Sequence, residues 1–469
     1  MPKKIFYALL ISLALCPLIY AQKRQIPLPT LLQIVKAEDE RRWDDVLGNL
    51  LSDRNPLVRK RAALAAGRIG NEDAVNALTP MLEKDANVSV RAMAAFALGE
   101  IESETAANAL IGVLKNQKGL AEVRVRAVEA LGKIAAALPR EQEARQRELG
   151  AAIIEALNST DQSTILLGLT AALRSRPANA GPVISKSLTH PNARIRADAA
   201  NALARLRLKD GNDQLRKLVA VDPDPIVRAN AARVLGVTED KQSFDALLGR
   251  ATADSDSRVR VSAIRALGSL KDPRAVEPLL KRSAEVNENL EIATTLGRLL
   301  AQKEDQAAIA WLRKINEPPV HSAPEVEIAF VRIAPATYLA QFGSGDDAKR
   351  EVQRTILLNW RAASGIAAGL GEVAALPDTT PNKAKLAAIA ESLLRAMLDY
   401  RNSGLTINTL VAVHSEYAIP DVLRSLAAFK PPDLASVAIG QLKESDVIIR
   451  GTAADLLGDL PPSEEITRA

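Results

Sequence analysis

The chain has 469 residues, of which 47% are hydrophobic and 25% charged, a folded globular composition that excludes global disorder. Aromatic residues make up only 3%, which suits many thin layers of closely packed helices better than one large core. With 3 His and 1 Cys, Cys-rich zinc modules, iron–sulfur clusters and an intrachain disulfide framework are excluded, and a formal charge of +5 is too small for this length to argue for nucleic acid.

The first predicted element is a secretory signal. The opening MPKKIFYALLISLALCPLIYAQ places Lys3 and Lys4 before an apolar run over residues 5–15, then Pro17 and a small-residue site at Ala21. Residues 1–21 are expected to be removed, leaving a cysteine-free chain of formal charge +3, exported to the periplasm or cell envelope of a bacterium. An uncleaved membrane anchor is the alternative, but the apolar run is shorter than the about 20 residues a span needs. Lipidation at Cys16 is disfavoured, because Leu15 stands where a small residue is required. No later segment is long and uncharged enough to span a membrane.

From there the chain repeats. An arginine is followed eight residues later by Gly or Ala seven times: Arg59 to Gly67, Arg91 to Gly99, Arg124 to Gly132, Arg196 to Ala204, Arg228 to Gly236, Arg260 to Gly268 and Arg450 to Gly458. Most neighbours are 32 or 33 residues apart, and the 72-residue step between Arg124 and Arg196 is a double step. Its missing copy reads ILLGLTAALR, with Leu166 in the arginine position, after an insertion at 139–148. An apolar residue precedes each arginine and small residues follow at +3 and +4, which is helical periodicity. The residue at +8 is expected to stop the helix. Six residues before the arginine stands Asp53, Asp85, Asp222, Asp254 or, in the last copy, Glu444, in a turn expected to cap the next helix. A first helix precedes this turn, as in DAVNALTPMLEK or RAVEPLLKRS, so each unit is helix–turn–helix.

The Asp-then-Val-Arg signature, Pro80 and Pro278 in first helices and the VRxxAAxxLG second helix resemble HEAT repeats of the subtype named after phycobilisome lyases. The resemblance implies an all-α fold, a right-handed α-solenoid or superhelix of helix–turn–helix repeats. It implies regular repeats over 22–283, degenerate helical repeats over 284–430, and a final repeat with a tail over 431–469. In the middle segment Asn289 and Gly297, then Arg361 and Gly369, keep the spacing without the full signature, and stretches near 325–340 and 405–415 read as helical. A separate helical domain bordered by Pro318-Pro319 and Pro431-Pro432 is the alternative. The resemblance also makes Asp53, Arg59, Asp85, Arg91, Arg124, Arg196, Asp222, Arg228, Asp254, Arg260 and Arg450 a structural ladder, since every repeat interface needs the same linkage while a catalytic group would occur once.

No residue cluster announces chemistry. His190, His321 and His414 are isolated, without the repeated His-Glu pairs of the HEAT-type deoxyhypusine hydroxylases, and no phosphate-binding or nucleophile-elbow motif occurs. The acidic turn DSDS at 254–257 reads as caps before it reads as a metal site. No cofactor is expected, phycobilin included. The opening IPLPTLLQIVKAEDERRWDDVLGNLL also resembles the front of exported HEAT proteins that continue into a cyclophilin-type peptidyl-prolyl isomerase, whose Phe-His-Arg motif is missing here.

Function is therefore sought on a surface. At +2, +5 and +9 from the ladder arginine, one stripe of the second helix carries Arg61, Arg68, Glu100, Arg126, Glu129, Lys133, Asp198, Asn201, Arg205, Asn230, Arg233 and Arg265. The resemblance puts these helices on the concave side. The stripe is either a solvated face or a groove for an acidic or extended protein segment; nucleic acid is not expected, with so few aromatics to stack bases. The reading is a non-enzymatic protein-binding scaffold of the cell envelope, and the alternative is the repeat portion of a peptidyl-prolyl isomerase.

Overall fold

The computed structural model describes residues 25–116, 120–282, 285–317, 322–405 and 414–468. The expected signal at 1–21, His321, the Pro318-Pro319 border and most of the 405–415 stretch lie outside them. Among the described residues there is no β-strand, and the architecture is an all-α solenoid built from helix pairs. Contacts divide it into two compact units, the first ending at Leu215 and the second beginning at Arg216.

The first unit contains α1 (Leu28–Asp39), α2 (Asp45–Leu50), α3 (Pro56–Ile69), α4 (Val75–Lys84), α5 (Val88–Ile101), α6 (Ala107–Lys115), α7 (Ala121–Ala137), α8 (Glu143–Ala156), α9 (Gln162–Ser175), α10 (Gly181–Lys186) and α11 (Ala193–Leu206). Its second helices stack in the order α1, α3, α5, α7, α9, α11, and each packs on its own first helix. The unit boundary falls within α12 (Asn212–Val221).

The second unit continues with α13 (Pro225–Val237), α14 (Phe244–Ala253), α15 (Ser257–Leu270), α16 (Val276–Leu280), α17 (Val286–Leu299), α18 (Gln306–Ile315), α19 (Pro324–Ile333), α20 (Pro335–Ala340), α21 (Gly345–Leu358), α22 (Trp360–Glu372), α23 (Lys383–Leu398), α24 (Ile419–Ala427), α25 (Leu434–Gln441), α26 (Val447–Gly458) and α27 (Glu464–Arg468). Here α13, α15, α17, α19, α22, α24 and α26 stack in sequence, so helix follows helix through the segment where the signature fades. At its end Ile466 of α27 packs against Ala438, Ala453 and Leu457.

Most ladder-bearing second helices begin at a side-chain cap four residues before the ladder position; α7 has Leu120 there and no such cap. Asn55, Asn87, Asn192, Asp224, Asp256 and Asp446 each accept an N–H from the first turn, and Pro56 and Pro225 occupy positions where no N–H is needed. The acids two residues earlier do not cap these helices. Asp85, for instance, accepts the Asn87 N–H at 2.8 Å and thereby shapes the turn.

Except at Gly458, the last residue of α26, the glycine at +8 does not stop the helix. Gly67, Gly99 and Gly268 are buried inside α3, α5 and α15, which end two residues later. The left-handed stop comes at +11, as Gly70 (φ 75°), Glu102 (φ 60°) and Lys271 (φ 54°). The glycine instead lets second helices touch. A Cβ on Gly99 would lie 2.6 Å from the Ala130 Cα of α7, and Gly67 and Gly236 meet Ala97 and Ala266 in the same way. This contact explains the abundance of buried alanine and the scarcity of aromatics.

The double step needs a change of register. Asp161 caps α9, its carbonyl accepts the Ile165 N–H, and Arg176 takes the left-handed position (φ 49°). The cap at −4 and the stop at +11 both put Ile165, not Leu166, in the arginine position, and the Gly132 contact with Ala171 agrees. The second half of the 139–148 insertion is not a loop but the first turns of α8. In α22, the cap Asn359 makes Ala363 the equivalent residue, while Arg361 lies 4.8 Å over the Trp360 ring.

Candidate functional site

The ladder arginines use their donors in two directions. The Nη1 group turns back to the carbonyl six residues upstream: Arg59 to Asp53, Arg196 to His190, Arg228 to Asp222, Arg260 to Asp254 and Arg450 to Glu444, all at 2.8–2.9 Å. The Nε and Nη2 edge reaches the next repeat. Arg59 donates to both carboxylate oxygens of Asp85 at 2.7 and 2.8 Å, and Arg228 to both of Asp254 at 2.8 Å. Arg260 pairs instead with Glu288 in α17, which Arg282 also holds at 2.8 Å. Bidentate, largely buried pairs of this kind are the strong form of the interaction.

Charge states follow from this geometry. The hydrogen bond from Arg59 holds Asp85 below the ordinary carboxylate range. Burial alone would raise Asp254, but the bonds from Arg228, the Asp256 amide and Arg250 outweigh it and bring its pKa down to about 2. Glu288 is lowered by Arg260 and Arg282 against the same burial.

The ladder is uneven. Arg91 Nε is buried without a hydrogen-bond partner among the described residues, and the matching position of the next repeat, Lys118, lies outside them. Arg124 meets Ser159, a hydroxyl in place of a carboxylate, from Nη2 at 3.1 Å. Where Ile165 replaces the arginine, the acid one repeat on is also replaced, by His190, whose Nδ1 accepts the Asn192 N–H. At this step both the donor and its acceptor are replaced, whereas after Arg91 and Arg124 only the acid is. In the last repeat Glu444 is taken by Arg401 of the same unit at 2.7 Å. Asp254 and Asp256 are thus a ladder acid and a cap, and among the described residues no group of three or more His, Cys, Asp or Glu could hold a metal ion.

The stripe is less free than its residue types suggest. Arg61 and Arg68 both grip Glu38 of α1, at 2.5 and 2.6 Å. Arg126 pairs with Glu129 at 2.7 Å, and Lys133 binds Glu100 of α5 while lying 4.6 Å over the Phe96 ring. Asp198 accepts from Arg194 at 2.7 Å, and Arg265 pairs with Glu291 of α17 at 2.5 Å. Asn201 is half-buried in α11, and Asn230 is engaged within the fold. Arg205 in the first unit and Arg233 in the second are exposed, with no ion pair among the described residues. The stripe therefore reduces to these two uncompensated cations and a set of neutralised pairs. The partner Glu38 escapes the repeat arithmetic, whereas Glu291 stands at +2 from Asn289 and so belongs to the same stripe, one repeat on.

One buried acid was not foreseen. Glu327 in α19 is 2% exposed. Its Oε1 accepts from Asn316 Nδ2 at 2.8 Å, and its Oε2 has no hydrogen-bond partner among the described residues. Burial is the largest cause and raises its pKa, with Asn316, Tyr338 and Ser322 acting the other way. It faces the close approach of Gly369 and Tyr338, and those residues complete a core rather than a cleft.

Residues 30–87, 75–147 and 212–296 match the model of HEAT repeats. No curated protein sequence matches the chain. Among solved structures, yeast importin-β (Kap95p) is similar at TM-score 0.51 and 13% identity, over 90% of this chain and 66% of that one. A Kap95:Nup1 complex gives TM-score 0.54 and 15% identity, over 88% and 61%. Kap95p bound to RanGDP gives 0.53 and 13%, over 92% and 70%. At these identities the likeness shows the fold. None of these three structures is a peptidyl-prolyl isomerase.

Proposed function

The chain carries HEAT repeats over 30–147 and 212–296, and on that premise we propose that it is a non-enzymatic scaffold that binds protein partners along its second helices. The observation that carries this reading is one exposed, uncompensated cation in each unit, Arg205 in the first and Arg233 in the second, on second helices whose other stripe charges are paired within the protein. The structural neighbours named with Ran and Nup1 as partners support a binding role for such repeats. The partner segment is acidic or extended, with a carboxylate that meets Arg205 on the first unit or Arg233 on the second. The setting is the bacterial cell envelope, a proposal that rests on the signal expected from residues 1–21. Among the described residues no helix is long and apolar enough to cross a membrane.

A photo-cross-linker at position 205 or 233 tests the reading in envelope extract. A partner should be captured from at least one of these positions, and capture should fail from Arg147 or Lys281 on the first-helix side. Capture only from the latter pair would refute the assignment of the face.

A further inference from the structure

We propose that the cavity beside Arg124 binds a carboxylate carried on a short aliphatic body. The edge of Arg124 that faces the next repeat is chemically incomplete. In Arg59 and Arg228 the Nε and Nη2 donors meet the two oxygens of one carboxylate. In Arg124 the Nη2 donor meets only the Ser159 hydroxyl at 3.1 Å, which also accepts the Asp161 N–H at 3.1 Å. Its Nε is buried without a hydrogen-bond partner among the described residues. A planar guanidinium edge with two parallel donors matches a carboxylate.

Space lies beside the Arg124 side chain. Arg124 and Ser159 line a cavity of about 590 Å³ between α6 and α8, large enough for a small ligand. Ile111, Leu114, Ala151, Ala152 and Ala156 give it an apolar wall, which suits an aliphatic body. Lys115 adds a second cation to the lining. Glu148 and Glu155 also line it; Glu148 is held by Arg145 at 2.6 Å, and Glu155 accepts from Asn158 at 3.4 Å. These acids repel a dianion more than a monoanion, so a carboxylate is preferred to a phosphate.

The same chemistry has two sources: a free branched short-chain acid, or the C-terminal residue of a peptide with an aliphatic side chain. The site lies between first helices and stands independently of the partner face on the second helices.

Calorimetric titration of the full chain tests the proposal with 4-methylpentanoate, N-acetyl-alanyl-leucine, the amides of both, and inorganic phosphate. At least one acid should bind, with its amide weaker by roughly tenfold or more, the worth of one charge-assisted contact. The acid that binds identifies the source. Ser159→Asp supplies the ladder carboxylate from within, so it should abolish binding and raise Tm. Ala152→Leu fills the apolar part and should abolish binding with Arg124 intact, which covers the case in which Ser159→Asp does not fold. Absence of binding by both acids, equal binding by an amide, tighter binding of phosphate, or unchanged binding by either folded variant would overturn the proposal.

Discussion

Arg228 in one repeat and Asp254 in the next share two hydrogen bonds of 2.8 Å, while the same arginine holds the Asp222 carbonyl of its own repeat. One side chain thus closes its own turn and fastens the following one. The Asp254 side chain is fully buried, so the pair replaces water entirely on the acid's side.

This pair makes acid stability predictable. The pKa of Asp254 falls from 3.8 to about 2 on folding, so its contribution is complete above the unfolded value. That contribution, on the order of 2 kcal/mol, is lost as pH drops from about 4 towards 2. Glu288 and Asp85, also lowered, add to the same slope. Urea titrations across this window should show stability falling with pH, and Asp254→Asn should flatten the fall. An unchanged slope in that variant would contradict the assignment.

Glu327 should act in the opposite sense. Its pKa is raised by burial above the ordinary 4.5, so the folded state keeps a proton that the unfolded state has lost. Stability is therefore full below that ordinary value and declines as pH rises through it. Glu327→Gln keeps an oxygen for Asn316 and removes the charge. Its Tm at pH 8 should exceed that of the parent, and the two should converge near pH 4. A lower Tm for the variant at pH 8 would show that the carboxylate is stabilising.

The helix contacts separate two kinds of glycine. Gly99→Ala forces a Cβ to 2.6 Å from Ala130 Cα, and should cost about 1–3 kcal/mol despite the better helix propensity of alanine. Gly249, in α14, has nothing within 4 Å of its Cβ position, and Gly249→Ala should stabilise by up to about 1 kcal/mol. Denaturation midpoints of the two variants should move in opposite directions.

The stripe separates similarly. Arg205→Ala and Arg233→Ala remove exposed, unpaired cations and should change stability by less than about 0.5 kcal/mol while weakening partner capture. Lys133→Ala removes a half-buried cation that binds Glu100 and covers Phe96, and should lower stability measurably. If Lys133→Ala is as silent as the other two, the pairing does not contribute to the fold.

Much of this architecture is legible along the chain, because a repeated interface repeats its residues. The arginine and the small residue at +8 mark most of the regular second helices. What they do is harder to read. The glycine resembles a stop signal until the neighbouring Ala130 is seen against it. Leu166 looked like the ladder position for want of an arginine; the cap Asp161 carries the better signal, four residues ahead of Ile165. The pairing of Arg61 with Glu38 and of Arg265 with Glu291 depends on rotamers that reach between helices, which no spacing within a repeat encodes. Glu327 offered only a lone acid in an apolar run, and its burial follows from the close packing of α19 against α22.

A double-mutant cycle on Arg228 and Asp254 tests most directly whether the ladder fastens repeat to repeat. Arg228→Met and Asp254→Asn should each cost about 3 kcal/mol, because either leaves a buried polar partner unmatched. The double variant should be no less stable than the worse single one, giving a strong coupling between the two sites. Additive losses, with no coupling, would contradict the account.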